Sequence, residues 1–209
     1  MPGLSLLEKL EEISPPDLPR KYTAMDYFNL PEGSPYQLIE GELIMSPSPF
    51  TEHQAISRNL EMLIFNHTKQ NKSGFVYYAP IDVYLDNNNA YQPDIIFISN
   101  KNKGIIKKSG IDGAPDLVIE ILSQSNAYYD KKVKKDVYER NGVMEYITVD
   151  PKTKNIDVFE RTGENLKSEE TNRGFSETSS IKLNDKDNNR LYIKTLNLYI
   201  DLKDIFTEI

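Results

Sequence analysis

Three residues, Asp94, Glu120 and Lys134, carry the chemistry that this sequence suggests most directly. Glu120 interrupts the run Leu117-Val118-Ile119-Glu120-Ile121-Leu122, which is otherwise apolar. A half-buried strand alternates polar and apolar positions, whereas this run is apolar on both sides, so the strand is expected to be covered on both faces and Glu120 with it. A carboxylate in such a place needs a partner or a task. Asp94 opens a second apolar run, Asp94-Ile95-Ile96-Phe97-Ile98, directly after Pro93. If the two runs are neighbouring strands, both carboxylates can converge at one end of the sheet. Two carboxylates with a main-chain carbonyl and waters make the oxygen donor set that Mg2+ or Mn2+ prefers. An ion held that way can polarise a phosphate and activate water.

Such a centre also wants a positive group to balance charge growing on a phosphate. The segment after Glu120 offers Lys131, Lys132, Lys134 and Lys135. On a helix whose buried face is set by Tyr129, Val133 and Val137, Lys134 lies on the shoulder, about 60° from Val137. Lys132 and Lys135 point to solvent and Lys131 is intermediate, which leaves Lys134 best placed to turn inward. Asp130, four residues before Lys134, could pair with it and hold it.

The elements that must position these residues follow from pattern. Leu4, Leu7 and Leu10 form a short amphipathic stretch ended by Pro15-Pro16, a peripheral arm over residues 1–20, ahead of one domain over 21–209. Thr23 is a candidate N-cap for a short helix. YQLIEGELIM reads as strands bent at Glu40-Gly41. Thr51-Glu52-His53-Gln54 has the pattern of a capping box, opening a helix to about Lys69 whose apolar period includes Ile56, Leu60 and Ile64. GFVYYAP, IDVYL and QPDIIFIS are expected to form a three-stranded meander. The Glu120 strand, a helix over about 126–140 stopped by Asn141-Gly142, and the hairpin VMEYITVD-PKTKN-NIDVFER come next. Residues 161–190 are polar, with short strands at best, and the tail is expected to end in a short helix. This order suggests an α/β sheet with long helices on its faces.

Composition narrows the class. With 209 residues, 38% hydrophobic and 27% charged, the chain can bury a sizeable core. It has no cysteine, hence no disulfides or thiolate metal site, and no basic leader, which suggests the cytoplasm. No run approaches ~18 apolar residues, so no membrane span is expected. A formal charge of -7 argues against a broadly basic nucleic-acid coat. The local clusters Lys101, Lys103, Lys107, Lys108 and Lys131 to Lys135 are for the most part expected to be solvated faces.

QPDIIFIS, APDLVIEILSQSN, Asp130-xxx-Lys134-xxx-Tyr138, Asn141-Gly142-Val143-Met144-Glu145-Tyr146 and Val149-Asp150-Pro151 occur in the order and spacing of one known group. They resemble the Uma-two family of putative restriction endonucleases, in the PD-(D/E)XK nuclease superfamily. The likeness extends through YQLIEGELIMSPSP and His53-Gln54, so it spans roughly residues 20 to 160. It implies a restriction-endonuclease-like fold, a mixed sheet of four or five strands flanked by helices with additional antiparallel strands, and divalent-metal hydrolysis of phosphodiesters. By position, Asp94 and Glu120 would be the metal-holding carboxylates, Ile121 would offer its carbonyl, and Lys134 would be a relocated active-site lysine. The relocation is needed because Leu122 stands where the superfamily has lysine. Gln37 stands where relatives commonly have glutamate, and Glu40 or Glu42 could compensate.

Bland readings compete with each assignment. Glu120 could form a buried ion pair with Lys134 for the fold alone, although such pairs stabilise poorly. Asp94 could cap a strand and Asp116 precede one. His53 reads as a helix-start residue satisfied by hydrogen bonds, and Tyr138 as core. The expected function is a Mg2+- or Mn2+-dependent endonuclease acting on DNA, with a two-fold contact between copies as one way to cut both strands. The alternatives are a catalytically inactive nucleic-acid-binding or assembly module on the same fold, and a hydrolase of RNA or small phosphodiesters.

Overall fold

The computed structural model describes residues 21–123, 129–161, 174–183, 185 and 189–207, with only the main chain of 129–131. The arm expected at 1–20 and the side chain of Asp130 lie outside the described residues.

The centre is a six-stranded sheet in the order β12-β11-β10-β9-β6-β3. Its strands are β3 (Gly74–Tyr78), β6 (Ile95–Ser99), β9 (Leu117–Ile121), β10 (Glu145–Asp150), β11 (Asn155–Arg161) and β12 (Phe175–Lys182). β9 and β10 run parallel and the other pairs antiparallel, so the sheet is mixed. It is larger than the four or five strands expected, because the polar stretch after β11 supplies the full eight-residue strand β12.

A second sheet is built from β1 (Tyr36–Ile39), β2 (Glu42–Met45), β4 (Val83–Asp86), β5 (Asn89–Tyr91), β7 (Ile106–Lys107) and β8 (Gly110–Asp112), in the order β2-β1-β5-β4-β8-β7. Its first hairpin turns at Glu40-Gly41, where both residues have positive φ, 52° and 82°. That is the backbone twist a tight two-residue hairpin requires. A third unit pairs β13 (Arg190–Ile193) with β14 (Leu198–Asp201).

The expected meander is not formed. β3 pairs with β6 in the central sheet while β4 pairs with β5 and β8 in the other, so the chain leaves one sheet after Tyr78 and returns at Ile95. Local apolar pattern identifies strands but not partners, and here the return path places Gln92-Pro93-Asp94 in the crossing between sheets.

Among the described residues the α-helices are α1 (Ala24–Phe28), α2 (Thr51–Asn71), α3 (Lys135–Asn141) and α4 (Leu202–Ile205). Thr23 caps α1 as expected, with Asp26 completing a capping box. α2 begins differently from expectation. Its N-cap is Phe50, with no side-chain cap, and Thr51 is already helical. Pro47 and Pro49 hold the approach extended, and the Phe50 carbonyl takes the first helical bond, from the Gln54 amide at 3.1 Å. The helix expected over about 126–140 is a π-helix over Tyr129–Lys134 followed by α3, its start lying outside the described residues.

Packing explains the apolar run around Glu120. One face of the central sheet carries Ile95, Phe97, Leu117, Ile119 and Ile121, and is covered by α2, α4 and the β13-β14 hairpin. The opposite face carries Ile96, Ile98 and Val118, and is covered by α3 and the second sheet. All five residues of β9 are buried. At roughly 25 cal/mol per Å² of apolar surface removed from water, this two-sided burial is the main stabilising term for the strand.

Candidate active site

β6 and β9 are antiparallel neighbours, with Ile95 opposite Ile119. The two apolar runs are thus neighbouring strands, and continuing the register by one residue sets Asp94 opposite Glu120. Asp94 sits just before β6, held by its carbonyl, which accepts from the Ala79 amide at 3.0 Å. Its Oδ2 accepts from the Ile121 amide at 2.7 Å, so the aspartate terminates β9 as well as entering the site.

Glu120 shares a strand face with Val118 and meets α3 there. Its Oε1 accepts from Lys134 Nζ at 3.0 Å and from Tyr138 Oη at 2.8 Å. Lys134 is 3% exposed and Glu120 is also 3% exposed, so this is a buried ion pair. Of the three lysines of this segment whose side chains are described, Lys132 is exposed, Lys135 intermediate and Lys134 buried. Lys134 Nζ also lies 5.6 Å from the centroid of the Tyr91 ring, whose face favours a cation.

Tyr138 is core, as expected, and more than core. Its ring packs against Tyr91 and Tyr146 while its hydroxyl serves Glu120. Burial first, then the charge of Glu120, drives its pKa well above the usual phenol value, so it remains a neutral donor. The available signal was spacing: Tyr138 follows Lys134 by four residues, which puts both on one helix face.

His53 departs from expectation. Its Nε2 lies 3.3 Å from Asp94 Oδ2, but its buried Nδ1 has no hydrogen-bond partner. Burial alone would lower its pKa. The hydrogen bond and charge of Asp94, the charge of Glu120 and a main-chain hydrogen bond at Ile121 outweigh burial and raise it above 6.5. Asp94, Glu120 and the Ile121 main chain are the groups that raise it. An all-oxygen set of two carboxylates and a carbonyl suits a hard divalent ion that keeps several waters, so the residues present fit Mg2+ or Mn2+. Among the described residues no group of three or more His, Asp and Glu side chains forms a ready-made metal cage.

The first-strand positions are occupied otherwise. Gln37 is buried, donating to Ser46 Oγ at 2.6 Å and accepting from the Gln92 amide at 3.1 Å. An amide can do both at once, and in doing so it braces the crossing that presents Asp94. Glu40 is engaged by Arg140 and Asn89, and Glu42 is exposed. Asp116 accepts from the Ser99 amide at 2.7 Å, the structural role expected of it. Leu122 is 8% exposed, and its amide bonds the Val149 carbonyl at 2.8 Å.

Comparison with known proteins bears on this arrangement. A family model described as "Uma2: Putative restriction endonuclease" matches residues 21–184. The fold is similar to a crystal structure of a putative nuclease belonging to DUF820 from Anabaena variabilis ATCC 29413, with a TM-score of 0.69 and 20% identity, covering 88% of this chain and 97% of that one. No curated protein matches.

Proposed function

The chain belongs to the Uma2 family of putative restriction endonucleases, and from that membership and the geometry around Glu120 we propose a divalent-metal-dependent endonuclease that hydrolyses phosphodiester bonds in DNA. The observation that carries the reading is that Asp94, just before β6, accepts from the Ile121 amide next to Glu120 on the neighbouring strand β9, with Lys134 bonded to Glu120 from α3's N-terminus.

In this reading Asp94, Glu120 and the Ile121 carbonyl hold Mg2+ or Mn2+. Bound there, such an ion would supply Lewis acidity to the reaction. Lys134 stands in for the lysine that Leu122 displaces from the strand, and its ammonium offsets charge that builds on the phosphate oxygens in the transition state. Tyr138 fixes the Glu120 carboxylate, and His53 fixes that of Asp94. Neither residue needs to touch the substrate to matter, because a misoriented ligand weakens ion binding.

One observation favours a second reading, a nucleic-acid-binding module without catalysis. Lys134 and Tyr138 both engage the same oxygen of Glu120, an arrangement that would also serve the fold alone. Calorimetric titration with Mn2+ separates the two. The endonuclease reading expects binding by the native chain that is lost in Asp94→Asn and Glu120→Gln, whereas a binding module has no need for that pair to hold metal. Rates on DNA, RNA and a small chromogenic phosphodiester then set the substrate.

A further inference from the structure

Two adjoining cavities share Pro80, Asp82 and Ser109. The larger, about 650 Å³, is lined by Phe28, Pro31 and Tyr84 as well as by Asp82 and Gln92. The smaller, about 360 Å³, adds Lys107 and Lys108, so together they form a groove with aromatic residues at one end and lysines at the other. It abuts the candidate active site: Gln92 is two residues from Asp94, and Pro80 follows Ala79, whose amide bonds the Asp94 carbonyl.

The groove's residues are chemically varied, and its carboxylate is fixed. Phe28 ends α1 with its side chain 55% exposed, tilted 57° against Tyr84 at 6.4 Å between centroids. Asp82 is held by Tyr27 Oη at 2.8 Å and Gln92 Nε2 at 2.9 Å. Lys107 and Lys108 are exposed. An open aromatic face stacks a planar ring, a fixed carboxylate accepts from ring N–H groups, and ammonium groups attract phosphate. A nucleotide presents all three partners within one residue.

We propose that this groove takes one unpaired nucleotide of the nucleic-acid substrate, its base stacked on Phe28 with an N–H edge at Asp82, and an adjacent phosphate at Lys107 and Lys108. The inference rests on the nuclease reading of the neighbouring site. Bases within a duplex are stacked on each other and paired, so a frayed end, a flipped base or a single strand is what the groove admits.

The test is fluorescence anisotropy with the full chain in EDTA, so that binding is read without cleavage. The probes are a labelled single-stranded DNA oligonucleotide, the duplex of the same sequence, and unlabelled dCMP as competitor. The expected result is tighter binding of the single strand, weakened about tenfold by Phe28→Ala and about tenfold by Lys107→Glu with Lys108→Glu, and only weak competition by dCMP. Glu120→Gln keeps the single-strand preference even where cleavage is lost, which separates the groove from the metal site. Equal binding of single strand and duplex would overturn the proposal. So would a Phe28→Ala variant that binds like the native chain, or dCMP competing as well as the oligonucleotide.

Discussion

Lys134 Nζ and Glu120 Oε1 lie 3.0 Å apart in the interior, joining the N-terminus of α3 to the middle of the central sheet. This contact sets the stability behaviour expected of the site. Removing one partner of a buried pair strands a charge, which typically costs about 3–5 kcal/mol, whereas replacing both with apolar groups can be neutral. Lys134→Met should therefore destabilise the protein by about 3 kcal/mol or more, and adding Glu120→Leu should recover most of that loss. Urea unfolding of the two variants measures both effects.

Tyr138→Phe removes one donor from the same carboxylate and leaves the ring packing on Tyr91 and Tyr146 intact. A hydrogen bond to a charged group contributes roughly 1.5–3 kcal/mol. The expected loss is about 2 kcal/mol, read by the same unfolding assay.

His53 gives a pH dependence of definite sign. Its folded pKa is raised above the unfolded value by Asp94, Glu120 and the Ile121 main chain, which together outweigh burial. Stability from this group is thus complete below the unfolded pKa and is lost as pH rises through the folded one. Metal-free protein should lose stability as pH climbs above about 6.5, and His53→Gln should flatten that slope. Melting temperatures across neutral and alkaline pH check it.

Leu122 tests whether the active-site lysine has moved. It lies two residues beyond Glu120 along the same strand direction and is 8% exposed. Lys134→Met should abolish cleavage, and Leu122→Lys added to it should restore part of the rate by returning an ammonium to the strand. Plasmid nicking rates for the two variants decide this. No recovery would mean that Lys134 serves the burial of Glu120 rather than the phosphate.

The parts of the site that were legible in sequence are those set by local pattern. Glu120 showed itself by breaking an apolar run, Asp94 by opening one, and Lys134 by its angle from Val137 on a helix. What sequence did not carry is pairing at a distance. The sheet crossing that separates β3 from β4 depends on partners far along the chain, so three consecutive apolar runs read as a meander. The Phe50 cap depends on a main-chain path set by Pro47 and Pro49, which overrode the Thr51-to-Gln54 pattern. His53 was visible as a residue, but its unpartnered Nδ1 and its contact with Asp94 follow from how α2 meets the sheet crossing.

Conversion of supercoiled plasmid by the purified chain with Mg2+ or Mn2+, set beside Asp94→Ala and Glu120→Ala, tests the metal-dependent endonuclease reading most simply. Thermal unfolding of each variant confirms that it is folded. The native chain is expected to nick or cut the plasmid in a metal-dependent way that EDTA stops, and neither variant is expected to do so. Metal-dependent cleavage that survives both substitutions would contradict that reading.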